Sequence, residues 1–107
     1  MRQMTAPELA DRLADASREK PVLLDVREPW EFETCHIEGS QPMPMATVPA
    51  HLGELDAGAE TVVICHHGAR SAQVGMFLER QGFRNVINLA GGVAAWAAHV
   101  DPGMARY

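Results

Sequence analysis

This sequence is poor in lysine, in cysteine and in long apolar stretches, and each shortage removes a class of function. Lys20 is the only lysine, and fourteen acids stand against nine arginines and lysines for a formal charge of −5. No basic stripe exists to follow a phosphate backbone, so a nucleic-acid partner is not expected. The acids are dispersed along the helical segments and read as a solvated surface. No apolar run approaches the twenty or so residues that cross a bilayer, and "MRQMTAPELADRL" lacks the unbroken apolar centre of a secretory signal. No membrane association is expected. Two cysteines, Cys35 and Cys65, make a poor disulfide framework, and the setting reads as cytoplasmic. A cysteine in that setting is free to act as a nucleophile.

What remains is enough for one compact domain over residues 1–107, with nearly half its residues apolar. Helical segments alternate with short apolar runs, which predicts an α/β fold with a mainly parallel sheet. "TAPELADRLADAS" opens with Thr5, carries Pro7 in its first turn and Glu8 three residues on, the signature of a capping box. Leu9 and Leu13 then mark an apolar face. "PVLLDV", "TVVI" and "NVINL" are continuous apolar runs, as expected of strands covered on both faces. "EPWEFET" suits a short helix from Pro29, and "VPAHLGEL" a weak one. "QPMPM" can be only a short edge strand, since its prolines donate nothing to a ladder. "SAQVGMFLERQGF" places Val74, Phe77 and Leu78 on one helical face with Gly82 as a C-cap. "GGVAAWAAHV" closes the pattern with a last helix.

The stretch that carries chemistry is "VVICHHGARS", Val62 to Ser71. In an open α/β sheet, ligands sit beyond the carboxyl ends of the strands. Cys65 lies at such an end, and the chain is predicted to turn and enter a helix near Ser71. A tight turn there aims backbone N–H groups at one point, and the helix N-terminus adds positive potential, so an anionic sulfur is stabilised. Gly68 permits dihedrals that a Cβ forbids. Arg70 can brace the loop by bonding its carbonyls, or meet a substrate oxyanion with its fork of donors. A cysteine at a strand end also packs well as an ordinary core residue, but the Gly-x-Arg-Ser that follows counts against so plain a role.

With these residues in view, the sequence resembles the rhodanese-like sulfurtransferases. "CHHGARS" resembles that family's active loop, Cys-x-x-Gly-x-Arg-Ser. "DVREPWEFETCHIEGS" resembles its first signature, and "VINLAGGVAAW" its closing one. The three stand in the family's order from Asp25 to Trp96. The tail "VDPGMARY" is also similar to the end of rhodanese domains that close adenylyltransferase–sulfurtransferase proteins. The resemblance implies a three-layer fold, with helices on both faces of a small sheet. It implies that Cys65 takes a sulfane sulfur from a small anionic donor such as thiosulfate and holds it as a persulfide. The loop of His66, His67, Gly68, Ala69, Arg70 and Ser71 would cradle it, and a thiophilic acceptor (cyanide, a thiol or a sulfur-carrier protein) would remove it. Arg70 and Ser71 match loop-bracing positions. Asp25 and Arg27 match the first signature, as a supporting hydrogen-bonded pair. Gly91, Gly92 and Trp96 fall at packing positions. No metal or organic cofactor is implied.

One departure stands out. The family has glycine before the "HI", and here it is Cys35, which alters the local turn and adds a thiol. A tolerated small substitution and a resolving cysteine are the two readings. Among rivals, dual-specificity phosphatases and arsenate reductases use a cysteine and an arginine in a loop one residue longer. Cys65 to Arg70 is the shorter, sulfur-sized version. Cys65, His66, His67, Cys35 and His36 are metal-capable ligands, yet neighbours within a tight loop rarely converge on one ion. His66 and His67 are expected at the pocket rim, there to attract an anionic donor when protonated or simply to meet solvent. His36 reads as a satisfied structural histidine, and His51 and His99 as surface. A persulfide-carrying or regulatory module docked on a partner is the non-enzymatic alternative.

Overall fold

The computed structural model describes all 107 residues. Five parallel strands form one sheet: β1 (Arg2–Met4), β2 (Val22–Asp25), β3 (Gln41–Pro42), β4 (Thr61–Ile64) and β5 (Val86–Leu89), in spatial order β1-β5-β4-β2-β3. Four helices surround it: α1 (Ala6–Ala14), α2 (Pro29–Thr34), α3 (Ala69–Arg80) and α4 (Gly92–His99). None is long and apolar enough to cross a membrane.

The central strands alternate their side chains between two cores, as the two-residue period of a strand requires. Val62 and Ile64 of β4 join Ile87 and Leu89 of β5 in a core closed by Leu9 of α1 and by Val93 and Trp96 of α4. Val63 and Cys65 point the other way, into a core shared with Leu24, Val74 and Leu78. Both faces of β4 are therefore covered, which explains its unbroken run of β-branched residues. Each buried Leu, Ile or Val side chain removed from water contributes roughly 1.5–3 kcal/mol.

The capping box of α1 forms as the spacing predicts. Thr5 Oγ1 accepts from the Glu8 amide at 3.3 Å, and Glu8 Oε1 accepts from the Thr5 amide at 2.9 Å. The same device recurs at α2, where Glu31 reaches back to the Glu28 amide at 3.0 Å. The "QPM" edge strand is confirmed at Gln41–Pro42, and "VPAHLGEL" winds as a 3-10 helix over Pro49–Glu54. Two expectations need correction. Strand β1 has no apolar run to announce it, because an edge strand three residues long is held mainly by backbone pairing to Ile87, Asn88 and Leu89. Helix α3 begins at Ala69 rather than near Ser71.

Candidate active site

Cys65 follows the last residue of β4 and is 1% exposed. The chain then turns through His66 and His67 to Gly68, whose φ of 107° lies in the left-handed region. That single residue ends the turn and starts α3, so Arg70 and Ser71 belong to the first helical turn and not to the loop. The Gly68 amide donates to Cys65 Sγ at 3.0 Å. The amides of His66, His67, Ala69, Arg70 and Ser71 find no acceptor within the protein. Two of these donors lie in the turn and three in the first turn of α3, all left without a protein acceptor beside the thiol.

Helix α4 fixes the loop from the opposite side. The Val93 amide donates to the Cys65 carbonyl at 2.9 Å and the Ala94 amide to the His66 carbonyl at 3.1 Å. The loop carbonyls are thereby turned away from the thiol. Gly92 makes this approach possible: its φ is +56°, and a Cβ there would stand inside contact distance of the carbonyl oxygens of Cys65 and His66. The packing role expected of the glycine pair is thus specific. It lets one helix end dock on the Cys65 turn.

Beneath the thiol runs a buried polar chain that sequence reasoning missed. Asn88 of β5 donates through Nδ2 to the Gly68 carbonyl at 3.3 Å and to Gln3 Oε1 at 3.0 Å. Its Oδ1 accepts from the Ser71 hydroxyl. With its one proton committed to Asn88, Ser71 Oγ receives the Cys65 thiol at 3.2 Å. The available signal was a polar residue inside "NVINL", a strand otherwise buried on both faces.

Arg70 does not bond the loop carbonyls. It gives Nη1 to Glu31 Oε1 at 2.7 Å and Nη2 to Glu31 Oε2 at 2.9 Å, a two-pronged pair between α3 and α2. The bracing of the loop carbonyls expected of Arg70 is thus not found; its fork ties α3 to α2 instead. Arg70 first, then the Glu28 amide and the Tyr107 hydroxyl, hold the Glu31 carboxyl down at about 2 against the opposition of burial. The Arg70 guanidinium is correspondingly raised above its ordinary value. Glu31 stood inside the quoted first signature, but nothing in spacing alone showed what it would face.

Asp25 and Arg27 form the hydrogen-bonded pair anticipated for them, with Arg27 Nη2 on Asp25 Oδ2 at 2.7 Å and both residues buried. Arg27 also ties down the end of α2, donating to the Cys35 carbonyl at 2.7 Å and the Glu31 carbonyl at 3.2 Å. Burial works against its charge, and the bonds to Asp25 and Tyr107 more than offset it. Cys35 has φ −165°, extended backbone that any residue adopts, so no glycine is required there. Its Sγ lies 4.0 Å from Arg27 Nη1, and both cysteines are free thiols.

His66 is half-buried and His67 exposed. Their rings meet at 3.9 Å, and His66 stacks on Tyr107 at 4.1 Å. Burial, reinforced by His67, holds the His66 imidazole below its ordinary range. Recruitment of an anion by protonated His66 is therefore disfavoured at neutral pH. His36 bonds the Phe32 carbonyl at 2.9 Å and stacks on that ring, satisfied but at the surface. His51 and His99 are exposed. A cavity of about 160 Å³ opens beside the turn, walled by Cys35, His66, His67, Ala94, Arg106 and Tyr107 among others.

The chain is similar to known proteins along nearly its whole length. The sequence profile of the rhodanese-like domain family matches residues 5–99. A protein named sulfurtransferase from Allochromatium vinosum is 36% identical over 100 residues, spanning 94% of this chain and 92% of its own. The probable adenylyltransferase/sulfurtransferase MoeZ of Mycobacterium tuberculosis is 36% identical over 106 residues, which are 97% of this chain and 26% of MoeZ. The thiosulfate sulfurtransferase GlpE of Pseudomonas fluorescens is 38% identical over 84 residues, 78% of this chain and 77% of GlpE. Among solved structures, a rhodanese-like domain protein from Staphylococcus aureus superposes with a TM-score of 0.83 at 30% identity, covering 90% of this chain and 91% of that one.

Proposed function

This chain belongs to the rhodanese-like domain family, and from that membership and the Cys65 turn we propose that it is a sulfurtransferase working through a persulfide on Cys65. The observation that carries the reading is the thiol at the strand end, bonded by the Gly68 amide and followed by a turn and helix N-terminus with five N–H donors left uncommitted. Thiosulfate is the proposed donor: only its outer sulfur has to reach the Cys65 thiol, while the sulfonate stays outside the turn. The Cys65 thiolate attacks the outer sulfur, an S–S bond forms, and the bond from that sulfur to the sulfonate breaks. Sulfite leaves with the electron pair. The persulfide's terminal sulfur is an anion, and the free amides stabilise it without reorganising. Cyanide or a thiolate then attacks that sulfur, and the pair of the cleaved S–S bond returns to Cys65, restoring the thiolate. The cycle is ping-pong and calls for no metal or organic cofactor. A protein acceptor, as in sulfur-carrier systems, is compatible with the same two steps.

Intact mass spectrometry after thiosulfate, followed by cyanide with thiocyanate measured, tests this. Wild type is expected to gain one sulfur atom and release it, and Cys65→Ser to do neither. Loading with no release to cyanide or thiol would replace turnover with sulfur carriage. Full transfer by Cys65→Ser, or no loading of the wild type, would overturn the proposal.

A further inference from the structure

Tyr107 lies far from the active turn in sequence but not in space. The chain after α4 folds back across the site: the Asp101 amide bonds the Trp96 carbonyl at 2.9 Å, and Arg106 Nη2 bonds the Ala97 carbonyl at 3.1 Å. Tyr107 then sets its ring face-on to His66 at 4.1 Å and edge-on to Trp30 at 5.4 Å. Its hydroxyl enters the buried charge network. It accepts from Arg27 Nη1 at 2.9 Å and donates to Glu31 Oε2 at 2.8 Å.

That hydroxyl bridges the Arg27 side chain and the Glu31 carboxylate. Arg27 is a buried cation answered by Asp25. Glu31 is a buried anion answered by Arg70. Arg27 reaches Glu31 directly only at its main-chain carbonyl, and the phenol, able to accept and donate at once, joins Arg27 to the Glu31 carboxylate. Glu31 Oε2 is the same oxygen that receives Arg70 Nη2. The Glu28 amide holds Oε1, whereas Oε2 is held by Arg70 and the phenol together, so the phenol helps set how the carboxylate meets Arg70. Without the phenol, Oε2 keeps Arg70 as its one partner, and the Arg70–Glu31 contact at the start of α3 is held less firmly. Burial, with the bond to Glu31, keeps the phenol neutral by pushing it up to about 12, although Arg27 pulls the other way. Its proton therefore stays available to Glu31 across the working pH range.

We infer that Tyr107 is a positioning residue for sulfur transfer: its hydroxyl links the buried Asp25–Arg27 pair to Glu31 and thereby holds Arg70 at the Cys65 turn. This rests on the sulfur-transfer reading above. Tyr107→Phe removes the bridge and keeps the stacked ring, so it separates this role from simple packing. Loss of one hydrogen bond to a charged group is expected to lower thiosulfate-to-cyanide turnover about tenfold. In an Arg70→Ala background the same substitution is expected to cost nothing further, because the hydroxyl acts through Arg70. The carboxyl carbon of Glu31, followed by NMR, is expected to titrate higher in Tyr107→Phe than in wild type. Equal losses in both backgrounds, or wild-type turnover in Tyr107→Phe, would overturn the inference. The Glu31 titration does not depend on catalysis. If wild type loads no sulfur, the function falls. If Glu31 titrates unchanged in Tyr107→Phe, the bridge falls, whatever the catalytic outcome.

Discussion

Replacing Glu31 by Gln removes one charge and almost no volume, and its cost follows from the four donors on that carboxylate. Arg70 supplies two at 2.7 and 2.9 Å, Tyr107 one at 2.8 Å, and the Glu28 amide one at 3.0 Å. A glutamine offers one oxygen to this set and turns an NH2 group against donors. Breaking a fully buried ion pair costs about 3–5 kcal/mol. Arg70 has 36% of its side chain exposed while Glu31 has 5%, so solvent recovers part of that, and about 2 kcal/mol remains. For a domain of this size that is about 8 °C in the unfolding midpoint at neutral pH. The pH dependence is more diagnostic. The native carboxyl is held at about 2, below its ordinary 4.5. Between those values the unfolded chain binds a proton that the native chain refuses, so stability is lost as pH falls. Glu31 contributes fully above pH 4.5, and the contribution disappears as pH falls through 2. Thermal melts of both proteins from pH 7 to pH 2 should show a gap that closes on acidification. A constant gap, or none at pH 7, would refute the account of Glu31 as a charged anchor.

Three further outcomes follow from the same geometry. Gly92→Ala should lose persulfide formation and about 2–4 kcal/mol of stability, because its Cβ meets the Cys65 and His66 carbonyl oxygens at a positive φ; a stable, active variant would remove the docking role of α4. Cys35→Ser should keep most of its transfer activity, since extended backbone accepts either residue; a large loss, or a Cys35–Cys65 disulfide in oxidised protein, would reinstate a resolving thiol. Arg70→Lys keeps charge but cannot grip both Glu31 oxygens, so transfer should fall at least about tenfold; wild-type turnover would leave only a charge effect.

Most of the architecture was legible because the buried strands are long enough to show a pattern. "PVLLDV", "TVVI" and "NVINL" became β2, β4 and β5, and Thr5–Glu8 became a capping box. The Cys65 turn was legible too, because a cysteine, a glycine and an arginine at fixed offsets are read along the chain. What stayed hidden are contacts across it. Glu31 meets Arg70 over 39 positions, Arg27 meets Tyr107 over 80, and Asn88 meets Ser71 over 17. Such contacts exist only once β2, β4 and β5 lie side by side and α2, α3 and the tail converge at their carboxyl ends. A local pattern shows that an arginine follows the thiol, but not that it points to a glutamate on another helix.

That pairing bears on the one rival chemistry that also uses a cysteine and an arginine. A phosphate held for attack by a thiolate needs a guanidinium that presents two parallel donors to its oxygens. Here both terminal nitrogens of Arg70 are already given to Glu31, and releasing them would strand a buried carboxylate. The turn itself, six residues from Cys65 to Arg70, is one residue shorter than the loop expected of a cysteine phosphatase. Two obstacles therefore act together, one of donors and one of space. Aryl phosphates should show no turnover above the Cys65→Ser background. Glu31→Gln, which frees the Arg70 fork, should not create it, because the ring of amides stays too small. Phosphate release by wild type would refute both arguments. Release confined to Glu31→Gln would show that the donors alone set the limit and that the size of the turn does not.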